Sequence, residues 1–104
     1  MSYDEAIAAR IREALTPEFD VVEKKMFGGL AFLVAGHMAI AASGQGGMLV
    51  RVEPEDHDAF LAEPGAAPFE MRGKPMRGWL RVDSDDVETW VSRGVEYARS
   101  LPPK

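Results

Sequence analysis

Residues 24–34 read KKMFGGLAFLV, two apolar runs separated by the glycine pair Gly28-Gly29. Glycine reaches positive φ at little steric cost, so paired glycines close tight turns that other residues would strain. Two short apolar runs around such a pair are typical of a β-hairpin. We therefore predict two strands, 21–27 and 30–34, that are joined at Gly28-Gly29.

Two further apolar runs follow this hairpin at short intervals. The predicted strands are 38–42 and 48–52, with Gly36 in the turn between 34 and 38 and a glycine-rich loop at 43–47. Such short connections require antiparallel pairing, because a parallel return needs a crossover of about a dozen residues or more. The sequence thus predicts a four-stranded antiparallel meander.

Three segments have helical periodicity. The first, about 3–15, begins with the capping-box spacing of Ser2 and Glu5. The second, about 54–62, follows Pro54 and is predicted to bury Phe60 and Leu61. The third ends near residue 100 and begins after the acid-rich cap 83–86, with one apolar stripe: Val87, Trp90, Val91, Gly94, Ala98 and Leu101. Glycine within that stripe indicates a close approach of helix to sheet.

A second hairpin, 69–72 and 78–82 around a turn at 73–75, completes the order α-β-β-β-β-α-β-β-α. This order predicts an α+β fold in which helices pack on an antiparallel sheet of about six strands. If all three helices cover one face of the sheet, the other face is either solvated or meets a partner. The sequence leaves both possibilities open.

The composition indicates one soluble domain, residues 1–104, with 46% hydrophobic and 28% charged residues. The absence of cysteine excludes disulfides, thiolate catalysis and zinc sites with sulfur ligands. No apolar run approaches the length of a membrane span, and the first twelve residues contain acids, so we expect a cytoplasmic protein without a membrane partner. The net charge of −5 disfavours nonspecific binding to phosphate backbones.

Several motifs together resemble a known family. They are KMFGGLAF at 25–32, GHM at 36–38, LVRV at 49–52 and GKPMRGW at 73–79, and they are similar to the amino-terminal domain of the TfoX/Sxy competence regulators. The resemblance covers nearly the whole chain and implies a stand-alone, single-domain member without the second domain of longer members. It also implies an α+β fold and a link to the regulation of DNA-uptake genes, and it supplies no catalytic residues.

Basic and aromatic residues on the late strands form the candidate interaction surface: Arg51, Arg72, Lys74, Arg77, Trp79 and Arg81. A basic surface with a stacking ring can bind single-stranded nucleic acid, whereas the same residues can also form a solvated edge paired to acids. Trp79 shares strand parity with Arg81 and is expected to point away from Leu80, a placement that favours a protein contact.

Catalytic and cofactor sites are not predicted. Gly28-Gly29 lacks the spacing of phosphate-binding or dinucleotide-binding loops, so we interpret Gly28, Gly29 and Gly36 as turn residues. His37 and His57 belong to no recognisable arrangement of nucleophile, base and orienting group. We therefore predict no enzyme, cofactor or metal site.

The sequence hypothesis is a regulatory or protein-interaction module without enzymatic activity, which associates with itself as a homo-oligomer or with another protein. The alternative is a nucleic-acid-binding module that uses the basic hairpin at 72–81.

Overall fold

The computed structural model describes residues 4–26, 28–44, 46–71 and 73–102, without the side chain of Met71. Over these residues the chain forms the following elements, in order: α1 (Glu5–Ala14), β1 (Val21–Met26), β2 (Gly29–Val34), β3 (His37–Ala42), β4 (Met48–Arg51), a 3-10 turn (Pro54–Asp56), α2 (His57–Leu61), β5 (Ala66–Met71), β6 (Lys74–Val82) and α3 (Val87–Ser100). The predicted α+β order is confirmed.

The strands form one antiparallel sheet in the spatial order β1-β2-β3-β4-β6-β5. The first four strands are the predicted meander, and the second hairpin joins it through β6, which pairs with β4 along residues 79–82. β1 and β5 are therefore the edges of the sheet. The position of β6 between β4 and β5 brings late-chain residues beside β4, the last strand of the meander.

The main core lies between one face of the sheet and the helices. Alternate residues of neighbouring strands fill it, among them Phe32, Ile40, Val50 and Leu80, which are all fully buried. The amphipathic stripe of α3 covers them with Trp90 and other apolar side chains, and α1 packs beside α3 with Ile11. One face of the sheet is thus covered by helices, and alternate strand residues are buried because they point to that face.

Gly94 marks the closest approach of α3 to the sheet. The pairing of β2 with β3 shifts between Phe32 and Leu33, so that Ala39 becomes an extra, bulged residue. A Cβ atom at Gly94 would overlap the carbonyl oxygen of Ala39. The predicted close approach of helix to sheet is confirmed, and it occurs where α3 packs against this bulge.

The glycine pair has two different structural roles. Gly28 has φ +74°, as expected for the turn that follows β1. Gly29 instead begins β2 as the partner of Met26, and a Cβ on it would overlap the carbonyl oxygen of Ala42. The prediction that both glycines serve the turn is therefore right for Gly28 and wrong for Gly29, which is needed for close backbone packing. Gly36, with φ +87°, lies in the predicted turn.

The amino-terminal helix begins later than predicted. Asp4 is its N-cap, because the carboxylate of Asp4 accepts hydrogen bonds from the backbone N–H groups of Ala6 and Ile7. Ser2 lies outside the described residues. The capping-box interpretation is wrong because an aspartate two residues closer to the first buried position takes the cap.

The second hairpin is longer than predicted. β5 begins at Ala66 instead of residue 69, and β6 begins at Lys74 instead of residue 78. The prolines that suggested loops are accommodated within the strands, since Pro68 lies on an edge strand and Pro75 lies where β6 pairs with β5 alone. A missing N–H is tolerated at such positions.

The predicted second helix is divided into the 3-10 turn and the short α2. Phe60 and Leu61 pack half-buried against the core, and the fully buried side chain of this helix is His57, with 6% exposure. A helix this short cannot cover its own apolar residues on all sides.

Candidate interaction surface

The sheet face opposite the helices carries a second apolar cluster. Its buried members are Ala31, Met38, Ala41 and Leu49, and half-buried Met26, Leu33, Phe69 and Trp79 pack against them. Every described member of this cluster is a strand residue. We call this surface the open face and define it by these eight residues together with the charged side chains described below.

Strand alternation generates the open face directly from the sequence. Phe32 points to the helices, so its neighbours Ala31 and Leu33 point to the open face. One row of paired residues crosses the sheet from β1 to β5: Lys24, Ala31, Ala41, Leu49, Arg81 and Ala67. The three residues between Lys24 and Arg81 are apolar, so a cation stands on each side of this apolar stretch.

Trp79 is half-buried within this cluster, with Leu80 on the other side of the sheet in the main core. Its ring lies 6.3 Å from that of Phe69, centroid to centroid. The guanidinium carbon of Arg51 is 5.2 Å from the Trp79 ring centroid and 5.3 Å from that of Tyr97 in α3. Cation–π attraction within this range orients the partners, so Trp79 is held between an aromatic ring and a cation.

The structure brings together only part of the predicted surface. Arg51, Trp79 and Arg81 share the open face, because Arg51 pairs with Trp79 and Arg81 pairs with Leu49 in the β4–β6 register. The other predicted residues do not join them in the described structure.

Arg77 belongs to the helical side instead, where its Nη1 lies 3.6 Å from Oδ1 of Asp58 in α2. Lys74 is exposed at the beginning of β6, in the part that extends past β4. Arg72 lies outside the described residues. The predicted hairpin therefore divides its cations between two sides of the sheet.

The open face has a single sign of charge along the regular pairings. On β1 to β4 and on residues 79–82 of β6, its charged side chains are Lys24, Arg51 and Arg81, with no carboxylate among these described positions. Glu23, the acid next to Lys24, points to the helical side.

Glu23 accepts two hydrogen bonds from Arg12 of α1, at 2.6 Å from Nε and 2.8 Å from Nη2. These hydrogen bonds, more than the opposing desolvation, hold the pKa of the Glu23 carboxyl below its usual value.

The helical side is where acids gather. Glu53, Asp56 and Glu96 line an open cleft of about 190 Å³ beside α3, together with Phe60 and Tyr97. Arg93 of this cleft is already engaged, since it donates to Glu63 at 2.8 Å and lies over the rings of Phe60 and Trp90, at 4.4 and 4.6 Å. This cleft is thus rich in acids, in contrast to the strand positions of the open face.

His57 is a functional-looking residue with a structural role. Its Nδ1 accepts a 2.9 Å hydrogen bond from the backbone N–H of Gly78, a residue with φ +88° in β6. This bond satisfies a buried donor at an irregular point of the strand. The sequence offered one signal for it, the glycine at position 78 in the predicted strand 78–82, because a glycine in a strand is typical of a bulge.

The other histidine, His37, donates from Nε2 to the carbonyl oxygen of Pro102, at 2.6 Å. Each histidine is therefore held by a backbone group in a different part of the chain. Within the described ranges, no group of three or more histidine, aspartate or glutamate side chains is placed to hold a metal ion.

The architecture defines a small α+β domain with a helix layer on one face of its sheet and a partly apolar, cationic surface on the other. The family model of the TfoX N-terminal domain matches residues 13–98, so this chain belongs to the TfoX N-terminal domain family, a regulatory family related to competence. The resemblance inferred from the motifs is confirmed. Comparison with the curated proteins and with the solved structures gave no significant match. Among the described helices, none combines the length and apolarity that a membrane crossing requires.

Proposed function

We propose that this protein is a non-catalytic interaction module that binds a protein partner through the open face, with Trp79 at the centre of the contact. The observation that carries this proposal is the second apolar cluster, which lies opposite the helix layer and has a half-buried tryptophan packed against it. An apolar patch with charged residues around it is typical of a protein contact site.

Preorganisation of Trp79 supports the same function. Tryptophan is enriched among the residues that dominate binding energy, above all where its ring is already held in place before the partner arrives. Here Phe69 and Arg51 flank the indole. Little rotamer entropy then remains to be lost on binding.

The proposal of a non-catalytic protein rests on how its titratable groups are used. His57 and His37 are engaged by backbone groups of the fold. Neither is hydrogen-bonded to a carboxylate or hydroxyl in those contacts, as a general base in a catalytic arrangement would be.

The test is a quantitative affinity capture from the native cell with the intact chain and two variants. Trp79→Ala is the probe, and Glu96→Ala, an exposed residue of α3, is the matched control on the opposite side. We expect at least one protein to be captured by the intact chain and by Glu96→Ala, and lost with Trp79→Ala. Capture that is the same with both variants would contradict the proposal. Circular dichroism establishes that both variants are folded.

Nucleic-acid binding is the second candidate, favoured by the placement of Arg51, Trp79 and Arg81 on one face. If it is correct, labelled single-stranded DNA binds with strong salt dependence, and Arg81→Ala weakens binding while Arg77→Ala does not. The matched control is informative because Arg77 faces Asp58 on the other side. No band shift at low salt would eliminate this candidate.

Self-association and a cytoplasmic location remain predictions. Light scattering at micromolar concentration tests the first, with a monomer mass as the contradicting result, and cell fractionation tests the second.

A further inference from the structure

We infer that the partner of the open face presents an acidic segment with apolar anchor residues. This inference rests on the proposed function and adds the chemistry of the partner. It follows from three features of the described residues: the sign of the charges on this face, their spacing, and the apolar surface between them.

The charged strand residues of the open face have the sign opposite to that of the whole protein. The chain has net charge −5, yet β1 to β4 and residues 79–82 of β6 place only the cations Lys24, Arg51 and Arg81 on this face. The acid Asp83, which follows β6, lines a cleft with Arg81 at the margin of the face. The carboxylate nearest to these cations in sequence, Glu23, is turned away and engaged by Arg12. Complementary potentials steer association and select partners, so this face selects an anionic surface.

The spacing of the cations sets the dimensions of that surface. Lys24 and Arg81 belong to one cross-strand row, on β1 and β6, with β2, β3 and β4 between them. At about 4.8 Å for each of the four strand steps, they are about 19 Å apart. A partner helix spans that distance in about 13 residues. Acids near its two ends can therefore reach both cations at once.

The surface beside this row is also apolar. Leu33, Met26 and Trp79 lie on either side of the row, half-buried, and leave part of their side chains to solvent, and Val22 on the edge strand is 58% exposed. Leucine or phenylalanine anchors in the partner would cover these groups. Each buried anchor adds free energy in proportion to its apolar area, and the flanking acids fix orientation.

Other occupants fit these observations less well. A second copy docked face to face would oppose Lys24, Arg51 and Arg81 to cations of the same kind, which destabilises the contact. A nucleic acid would meet three cations on this face of a protein of net charge −5. These cations would neutralise few phosphates, too few for a stable complex.

The experiment uses three designed amphipathic helical peptides of about 18 residues, long enough to span the row. They share one leucine-rich face and differ only in their polar positions, which carry glutamate, glutamine or lysine. Fluorescence anisotropy measures the affinity of each labelled peptide for the intact protein at about 50 and about 300 mM salt. A labelled single-stranded oligonucleotide is included as a competing class of ligand.

We expect the glutamate peptide to bind about tenfold more tightly than the glutamine peptide at low salt, with the difference reduced at high salt. In the double variant Lys24→Glu/Arg81→Glu, the preference should reverse toward the lysine peptide. Lys25→Glu/Arg77→Glu is the matched control, because it makes the same change in net charge at exposed positions on the helical side. This control should keep the preference for glutamate.

The outcomes separate the inference from the proposed function. If all peptides bind equally and Trp79→Ala abolishes binding, the open face is a protein contact but the inference of an acidic partner is wrong. The inference is also wrong if no peptide binds, or if the oligonucleotide binds more tightly than the glutamate peptide. Binding that is insensitive to Trp79→Ala would contradict the proposed function itself.

Discussion

The two faces of the sheet are built from the same strands and differ in what covers them. Phe32 and Leu33 are consecutive in β2, yet Phe32 is fully buried under the helices whereas Leu33 remains half-buried on the open face. The helical face uses large side chains that interlock with α1 and α3. The open face has two alanines in its middle, and beside the buried Met38 and Leu49 it keeps Leu33, Phe69 and Trp79 only partly covered. One face therefore stabilises the fold, while the other retains apolar surface for recognition.

The largest expected difference between the faces is in stability. Phe32→Ala should lower the free energy of unfolding by about 4 kcal/mol, because it removes a fully buried ring and leaves a cavity under the helices. Leu33→Ala is the matched variant on the open face and should cost about 1 kcal/mol, since its side chain is only partly buried. Urea unfolding followed by circular dichroism measures both. Equal costs would show that the open face is part of the stabilising core.

The contact between α3 and the bulge at Ala39 gives the next largest effect. Gly94→Ala should cost about 2 kcal/mol, because the added Cβ overlaps a backbone oxygen that cannot rotate away. Ser92→Ala, at an exposed position of the same helix, should change stability by less than about 0.5 kcal/mol. Thermal unfolding of the two variants provides the comparison. A stabilised Gly94→Ala protein would mean that helix propensity outweighs the close approach.

A substitution at His57 tests whether this buried side chain on the helical side has a structural role. His57→Ala should cost about 2 kcal/mol, because the buried N–H of Gly78 loses its acceptor. Asp58→Ala removes the neighbouring exposed ion pair with Arg77 and should cost less than about 0.5 kcal/mol. Chemical denaturation distinguishes them, and amide exchange of Gly78 should accelerate only in the first variant. Similar stabilities of the two variants would assign His57 a different role.

The smallest effect concerns the ion pair of Arg12 with Glu23. Its hydrogen bonds lower the folded-state pKa of Glu23, so the pair stabilises the fold above the unfolded pKa, about 4.3, and this contribution is lost as pH falls through the lower folded value. The groups are partly exposed, so the contribution should be below about 0.5 kcal/mol. Carboxyl NMR titration should show the pKa of Glu23 rising in Arg12→Gln. An unchanged pKa would contradict this cause.

Much of the fold could be predicted because strong local signals coincide with it. These signals are the glycines, the periodicity of α3 and the cap at Asp86. Each depends on only a few neighbouring residues, so the sequence alone locates the turns and this helix. The boundaries of the second hairpin were missed because the tolerance for Pro68 and Pro75 depends on which side of each strand is paired. Strand pairing depends on the tertiary structure, so a local sequence pattern does not predict it.

The candidate surface was only partly predictable for the same reason. Strand parity correctly separated Trp79 from Leu80, because alternation is local. Arg51 lies on the same face as Trp79 and Arg81 because of the β4–β6 register. Arg77 lies on the other side of the sheet, beyond the irregular backbone at Gly78. Lys24 was not expected at this surface, since its row becomes visible only once five strands are aligned.

The position of β6 between β4 and β5 also determines what the sheet exposes when the chain opens locally. If the second hairpin detaches, β4 becomes an edge strand, and its apolar run Met48-Leu49-Val50 presents unpaired backbone groups. A chain in that state is prone to pair with strands of other chains. The docked second hairpin therefore protects the apolar centre of the sheet against aggregation.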